Sequence, residues 1–564
     1  KLINQVVLID YTIIILGVKK KFMATHFSAV GQIRQFAGEA AADIRELRRF
    51  LKKEKALKLI CLSLIVVCWG LKIVYDDIFI DSEIMSLEPY ALLQSWYGSR
   101  RFSLIFTKKI FHMIRLVPYL SNLLTAAFLF LAALLFAFCL QTWIPILKKK
   151  PYDKGLLLAA AFFVTAPSLA EQYAYTLQAF EITLSMCICM IAVYCAGRAV
   201  YGNGSVIWYL AAVLLLVWTL GSYQGFCVCY MALVLISFLG SYETDMHKGQ
   251  EEAFLYGIRQ VIIFIIGFIL YFLTASFLCR IKGGDSSYVD AMFMWGTLSK
   301  AECLHYVKDE FRALYCGVVP VLYNRFFGIM AFGCTIFLAV RSVKLHFKKW
   351  YWYFLGLFLL FASPMFVTLL SGMRTPVRGQ LVFPLLLGAF ACIFYCFAVG
   401  CLERFKGFSV KPRCVVVSIL FVAMFYQSWV QGMDLVQLNQ TLHDTLVNDR
   451  IIAQQMYGDI RRVADRSDMQ NCPVVFVGTR SARIPNTAAR GEVIGYSYFD
   501  FGLTNIGINN RTTGLFNLMG LNLATPTVEE YEQALQEAAD KPCWPAKESV
   551  FLLDDGCVAV KLSE

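Results

Sequence analysis

The feature that most limits what this chain can become is a series of eleven apolar runs, at 59–75, 116–143, 155–167, 180–197, 206–220, 223–239, 261–278, 322–340, 351–370, 381–401 and 415–430, separated by polar or charged segments. A bilayer's hydrocarbon core is about 30 Å thick and takes roughly 20 apolar residues to cross as a helix, which satisfies its own backbone there. The runs therefore predict an all-α polytopic membrane protein of about eleven transmembrane helices, several of them short. Composition points the same way. Of 564 residues 58% are hydrophobic and 16% charged, which is too apolar for a soluble protein of this length.

The formal net charge of +12 would suggest nucleic acid in a soluble chain. Here Lys and Arg fall mostly between the apolar runs, as topology signals and lipid-headgroup contacts do. Membrane lipid is therefore an expected partner and nucleic acid is not. Most of the 19 cysteines lie inside apolar runs without metal-ligand or disulfide-framework spacing, and are read as small buried residues. Residues 1–22 lack a starting Met and hold an apolar run too short to span. A non-native extension ahead of Met23 and an interfacial segment both fit them.

Sidedness follows from charge. The stretch RELRRFLKKEKALK, residues 45–58, abuts the first run, and its positive charge keeps it in the cytoplasm. Segment 1–58 is thus placed inside, and the first run delivers Asp76 and Asp77 to the outer face. Alternate threading then puts KKKPYDK, RSVKLHFKK and ERFKGFSVKPR inside. Outside fall the first loop through Arg115, the turn 167–178, the corner at Ser222, the segment 280–321, the loop GMRTPVRGQ and the tail 431–564. Against the trend, Arg100, Arg101, Lys108 and Lys109 lie in the first outer loop.

The tail is polar and mixed. It holds a helix-like stretch at 438–467, a β-like run PVVFVG, loops rich in Asn and Gly, and an acidic helix VEEYEQALQEAAD. Its last two apolar runs flank Asp555-Gly556, the signature of a hairpin. A small C-terminal α/β domain, packed on the outer mouth of a transmembrane part at 59–430, is the simplest expectation.

Candidate chemistry concentrates in the outer loops. A carboxylate at a membrane interface is costly to dehydrate, so it persists where it pairs with a cation, binds a metal or does acid/base work. Asp76 and Asp77 are followed closely by Asp81 and Glu83. The turn APSLAEQYAY carries Glu171 and Gln172, and the corner GSYQGF carries Gln224, which must find hydrogen-bond partners. Arg374 and Arg378 in GMRTPVRGQ stand against the positive-inside trend. One such arginine snorkels by default, but two favour an anion site for phosphate. Arg280 with Lys282, and Arg100 with Arg101, are further candidates. A sugar on a lipid phosphate has its leaving group at the membrane surface, where cations hold it, and its acceptor hydroxyl outside, where a carboxylate base serves it.

The acidic pair directly after the first run, the loop ending in WYGSRR, PSLAEQYAY, the YQG corner and RTPVRGQ together resemble the GT-C superfamily of integral-membrane glycosyltransferases. More narrowly they resemble the bacterial glucosyltransferase type II (GtrII-like) family associated with O-antigen and cell-wall polysaccharide modification. The resemblance covers about 59–430. It implies inverting transfer of a hexose, often glucose, from a polyprenyl-phosphate sugar donor to a cell-surface glycan acceptor outside the bacterial cytoplasmic membrane. By that resemblance one of Asp76 and Asp77 is the general base, with Asp76 preferred, Arg374 and Arg378 hold the lipid phosphate, and Glu171 takes the second-loop acidic position. Gln172 stands where some superfamily members carry another carboxylate, which argues against an obligatory metal site. No cofactor is therefore expected, although two adjacent aspartates also suit a divalent metal.

A lipid-linked glycan transporter or flippase is the main alternative, and a polysaccharide polymerase the second. A transporter is expected to carry ionisable groups along its spans. These runs are almost free of Asp, Glu, Lys and Arg, with Glu181 and Arg325 near outer ends as exceptions.

Overall fold

The computed structural model describes residues 29–75, 77–202, 204–244, 248–284, 293–404, 410–465, 469, 472–502, 504–554 and 556–564. Asp76, the preferred base of the sequence reading, lies outside the described residues, as do residues 1–28 and Asp555.

Each of the eleven apolar runs is largely helical, 351–370 being divided between two helices. An amphipathic helix α1 (Ala29–Lys53) precedes α2 (Lys55–Val74), and three short helices follow, α3 (Ser82–Leu87), α4 (Pro89–Gly98) and α5 (Phe102–Ile110). Next come α6 (Pro118–Trp143), α7 (Lys154–Val164), the short α8 (Ser168–Tyr173), α9 (Ala179–Tyr201), α10 (Ile207–Ser222), α11 (Phe226–Thr244) and α12 (Lys248–Lys282). The bundle is completed by α13 (Lys300–Tyr315), α14 (Phe327–Lys344), α15 (Trp350–Ala362), α16 (Phe366–Ser371), α17 (Val382–Arg404) and α18 (Val410–Ala464). Among the described residues nine helical stretches are long and apolar enough to cross a membrane, and the apolar helices α7 and α10 are shorter. The protein is an all-α polytopic membrane protein with a small tail that contains strands.

Helices in lipid gain little from hiding apolar surface against one another, so close approach decides how they pack. At Gly388 of α17 an added Cβ would stand 2.5 Å from the carbonyl oxygen of Ala159 in α7 and 2.9 Å from the Phe136 ring of α6. Three helices meet at that glycine. The loops sort to two ends. At one, Arg198 pairs with Asp43, Arg341 with Glu243, and Tyr152 donates to Glu403. At the other, Ser121 donates to the Thr176 carbonyl, Gln224 to the Ser99 carbonyl, and Glu492 of the tail accepts from Val377.

Helix α18 joins bundle and tail. Its 55 residues make a rod of roughly 80 Å, far longer than a span of about 30 Å needs. The polarity change at 430–431 is not a break in the backbone, because the helix runs straight through it. Leu435, Leu438, Leu442, Leu446, Ala453, Met456 and Ile460 stay buried along its second half, a stripe at helical spacing on which the tail packs.

The tail sheet has the order β1-β3-β2, with β1 (Val474–Val477) parallel to β3 (Val558–Lys561) and β2 (Val550–Leu552) antiparallel to it. The expected terminal hairpin is β2–β3. Alternation sorts β1 by face: Val474 and Phe476 join the main core, while Val475 and Val477 pack with Tyr531 and Ala534 of α20 (Val528–Glu537). That acidic helix starts at a Thr527–Glu530 capping box. One expectation is corrected here. Part of the stretch read as Asn- and Gly-rich loop is helix α19 (Asn505–Leu518), capped by Thr504. Its weak helical propensity is offset by tertiary bonding, as buried Asn509 accepts the Phe476 N–H at 2.7 Å.

Candidate active site at the junction of bundle and tail

The chain leaves α2 at Tyr75 in an extended conformation, and this turns Asp77 inward against α18. Its side chain is only 5% exposed, and Oδ1 lies 3.1 Å from Nδ1 of His443. With an ionised carboxylate that spacing requires a proton on Nδ1. The imidazole is held in turn by stacking on Tyr75, with centroids 3.7 Å apart. Beneath the pair, buried Lys72 donates to Thr176 Oγ1 at 3.0 Å, and Thr176 donates to the Asp77 carbonyl at 3.2 Å. Lys72 is thus a further charged group within a span, and it lies in the last turn.

Two successive left-handed residues, Ile80 (φ 37) and Asp81 (φ 59), then reverse the chain. For a β-branched residue this is strained backbone, of the kind that persists where surrounding contacts over-determine it. Those contacts come from the tail. Arg511 of α19 binds Asp81 Oδ1 at 2.7 Å and Glu83 Oε1 at 3.0 Å, and Tyr498 donates to the Ile78 carbonyl at 3.0 Å. Burial pushes the Glu83 carboxyl up to about 7, against the pull of Arg511.

Glu171 of α8 is fully buried and accepts three backbone N–H groups of the tail, from Glu492, Val493 and Ile494 at 3.0, 2.9 and 3.4 Å. A Cβ on Gly491 would stand 1.7 Å from its Oε1, so only glycine lets the strap close over the carboxylate. Burial, then the neighbouring Glu492, raise Glu171 to about 7. The Glu492 carboxylate accepts the Val377 N–H at 2.5 Å and ties the strap to the arginine loop.

The candidate cations meet different fates. Arg374 Nε binds Glu310 of α13 at 3.2 Å, and Gln380 donates to the other Glu310 oxygen at 2.5 Å. Arg378 donates to the Tyr175 hydroxyl and lies 4.6 Å over the same ring, with no carboxylate in ion-pair range among the described residues. Burial, then the like charge of Arg101, hold Arg378 below the ordinary arginine range, while Asp81, Glu492 and Glu171 pull the other way. Arg101 lies 4.9 Å over the Tyr223 ring and its buried Nε has no hydrogen-bond partner. Arg100 turns away to stack 4.8 Å over Phe272. Gln224 donates to the Ser99 carbonyl at 2.7 Å and to Tyr271 at 3.2 Å, which fixes the loop that carries both arginines. Arg280 and Lys282 end α12 with exposed side chains and make no ion pair among the described residues.

The arrangement places two like-charged guanidiniums beside one another at the rim of an acidic junction. Like charges held together in a part-buried site favour a bound anion. Among the described residues no group of three or more His, Cys, Asp or Glu is placed to hold a metal ion.

The glucosyl transferase GtrII family matches residues 72–396, more than half of the chain. The chain belongs to this family. Membership in the GtrII family supports glycosyltransferase activity, with a sugar donor and a glycan acceptor. No curated protein matches the chain. The GtrII match opens just ahead of Asp76 and Asp77 and takes in Glu171, Gln224, Arg374 and Arg378. It stops before the second half of α18 and the tail, which supply His443, Glu492 and Arg511. Those three, with Glu310, Lys72 and Gly491, are the residues of this candidate site that sequence reasoning missed. Glu310 alone had a local signal, since the Ser299–Glu302 capping box opens a polar helix in the long segment 280–321.

Proposed function

We propose that this GtrII family member moves glucose from a polyprenyl-phosphate sugar to an extracytoplasmic cell-surface glycan, at the tail-side end of the bundle. The observation that carries the reading is the Arg378–Arg101 pair, two cations with no ion-pair partner among the described residues, set beside the loop that follows Asp77. The pair binds the lipid phosphate and stabilises the charge that grows on it as the sugar departs. An acceptor hydroxyl oxygen attacks the anomeric carbon, the bond from that carbon to the phosphate oxygen breaks, and polyprenyl phosphate leaves. The hydroxyl proton passes to a carboxylate of the Asp76-Asp77 pair. His443 orients Asp77 for this step and supports its charge.

The same reading puts the tail-side end outside the bacterial cytoplasmic membrane and the basic end of α1 inside, by the bias of Lys and Arg. It treats 59–430 as the transferase domain and 431–564 as an extracytoplasmic α/β domain that closes the site. A transporter would route charge through the bundle. Lys72 instead lies in the last turn of α2, and Lys108 pairs with Glu181 at 2.6 Å in the first turn of α9, so both charges sit at helix ends.

Asp76→Asn and Asp77→Asn, made separately in the purified full chain, test the base. Loss of the base is expected to lower transfer from polyprenyl-phosphate glucose by roughly 10²–10⁴-fold in at least one of them, at unchanged thermal stability. Near-wild-type transfer by both would remove the base from this pair.

A further inference from the structure

Glu171 and Gln224, two of the outer-loop candidates from the sequence, are consumed by structural bonds, so the acceptor sugar must rest elsewhere. We propose that it rests on the tail, on a surface formed by Tyr496, Phe501, Arg511 and Asp81. The proposal depends on the transferase reading above and adds to it the place of the acceptor.

Five observations converge there. The Tyr496 ring is 44% exposed, unlike the neighbouring Tyr498, which is buried. It stands edge-on to Phe501, with centroids 5.6 Å apart, so its orientation is fixed by packing. Arg511 lies 5.7 Å over the Phe501 ring and reaches Asp81, whose side chain is 36% exposed. Asp81 engages Arg511 through Oδ1 only, which leaves Oδ2 to accept from a ligand. Finally, Asp81 and Glu492 both act on the charge of Arg378, so this surface borders the proposed phosphate site.

The chemistry fits a pyranose. A rigid, part-exposed aromatic ring offers an apolar face to the C–H face of a sugar while its hydroxyl stays wet. A carboxylate and a guanidinium held by each other present acceptor and donor at a fixed spacing to neighbouring hydroxyls. The left-handed Ile80–Asp81 turn delivers that carboxylate, which gives the backbone strain there a purpose. The bound sugar would sit between tail and first loop, on the loop that follows Asp77.

The test uses the full chain in lipid nanodiscs, polyprenyl-phosphate glucose, and polysaccharide extracted from cells lacking this protein as acceptor probe. Tyr496→Ala is expected to raise the KM for polysaccharide about tenfold and to leave the donor KM and the melting temperature unchanged, while Tyr496→Phe retains wild-type behaviour. Asp81→Asn, which keeps an oxygen for Arg511, is expected to shift the same acceptor KM in the same direction. An unchanged acceptor KM in Tyr496→Ala overturns the proposal, and so does a rise in donor KM alone, which would give the ring to the donor sugar. If the wild type transfers nothing from this donor, the transferase reading fails first. Binding of the polysaccharide by saturation-transfer NMR then still decides the subsite, which stands only if Tyr496→Ala loses the signal.

Discussion

Arg374 and Arg378 leave one loop and reach opposite electrostatic situations. Arg374 turns to α13 and meets Glu310, a buried carboxylate that Gln380 also holds. Arg378 turns to Tyr175 and Arg101, meeting an aromatic face and a second positive charge. The first region is closed on itself, since each charge already has its counter-charge. In the second, no carboxylate lies within ion-pair range of Arg378 among the described residues, although Asp81, Glu492 and Glu171 act on it from further off, so an incoming anion would meet an unpaired cation. A loop with two arginines therefore need not be one site, and the carboxylate that distinguishes them comes from a helix more than sixty positions away.

The largest effect should come from breaking the open region. Arg378→Ala is expected to lower turnover with polyprenyl-phosphate glucose by roughly 10²–10³-fold, with little change in melting temperature, because no ion pair is lost. Arg378→Lys should recover only part, since a point charge replaces a planar fork. If Arg378→Ala transfers as well as the wild type, the phosphate belongs with Arg280 and Lys282 or with Arg100.

The closed region should respond in stability first. Arg374→Ala leaves Glu310 buried without its cation, at a cost on the order of 1–3 kcal/mol, tempered because Arg374 is 39% exposed and water shares its role. Thermal unfolding of the solubilised chain should show the loss, and the double variant Arg374→Ala/Glu310→Gln should recover most of it. A fall in turnover matching that of Arg378→Ala, with no fall in melting temperature, would erase the distinction between the two arginines.

What could be read in advance follows the same division between local and distant causes. Apolar runs were legible because lipid forces each span to satisfy its backbone within itself, so 116–143 becomes α6 whatever surrounds it. The terminal hairpin and the acidic helix were legible because their turn and cap residues are local. Helix α19 was not, since Asn, Gly and Thr favour loops and only the bond from Phe476 to Asn509 reveals the helix. Nor was the continuity of α18, where polarity changes at Gln431 while the buried stripe continues through Leu435 and Leu438. The site loops were found by their charges, but which charges remain open was not legible. His443 meets Asp77 across 366 positions and Arg511 meets Asp81 across 430, distances over which no spacing in the sequence carries a signal.

The smallest effect compares the two regions by pH. Glu310 in the closed region and Glu171 beside the open one both have their carboxyls raised to about 7, chiefly by burial. A carboxyl whose folded value lies above its unfolded value takes up a proton on folding. The contribution of these two groups to folded stability is therefore greatest at low pH and falls as pH rises from about 4.5 to about 7. Each group contributes at most about 3 kcal/mol to that fall, taking 1.36 kcal/mol per unit. Glu171→Gln keeps an oxygen for the strap's N–H groups and loses the titration, so its melting temperature should fall less steeply with pH than that of the wild type. Glu310→Gln should flatten the profile too, but it alone also frees Arg374, adding a third open cation and so improving donor affinity. Equal donor KM in the two variants would mean that Arg374 stays outside the phosphate's reach even when unpaired, and that the two regions are divided by distance as well as by charge.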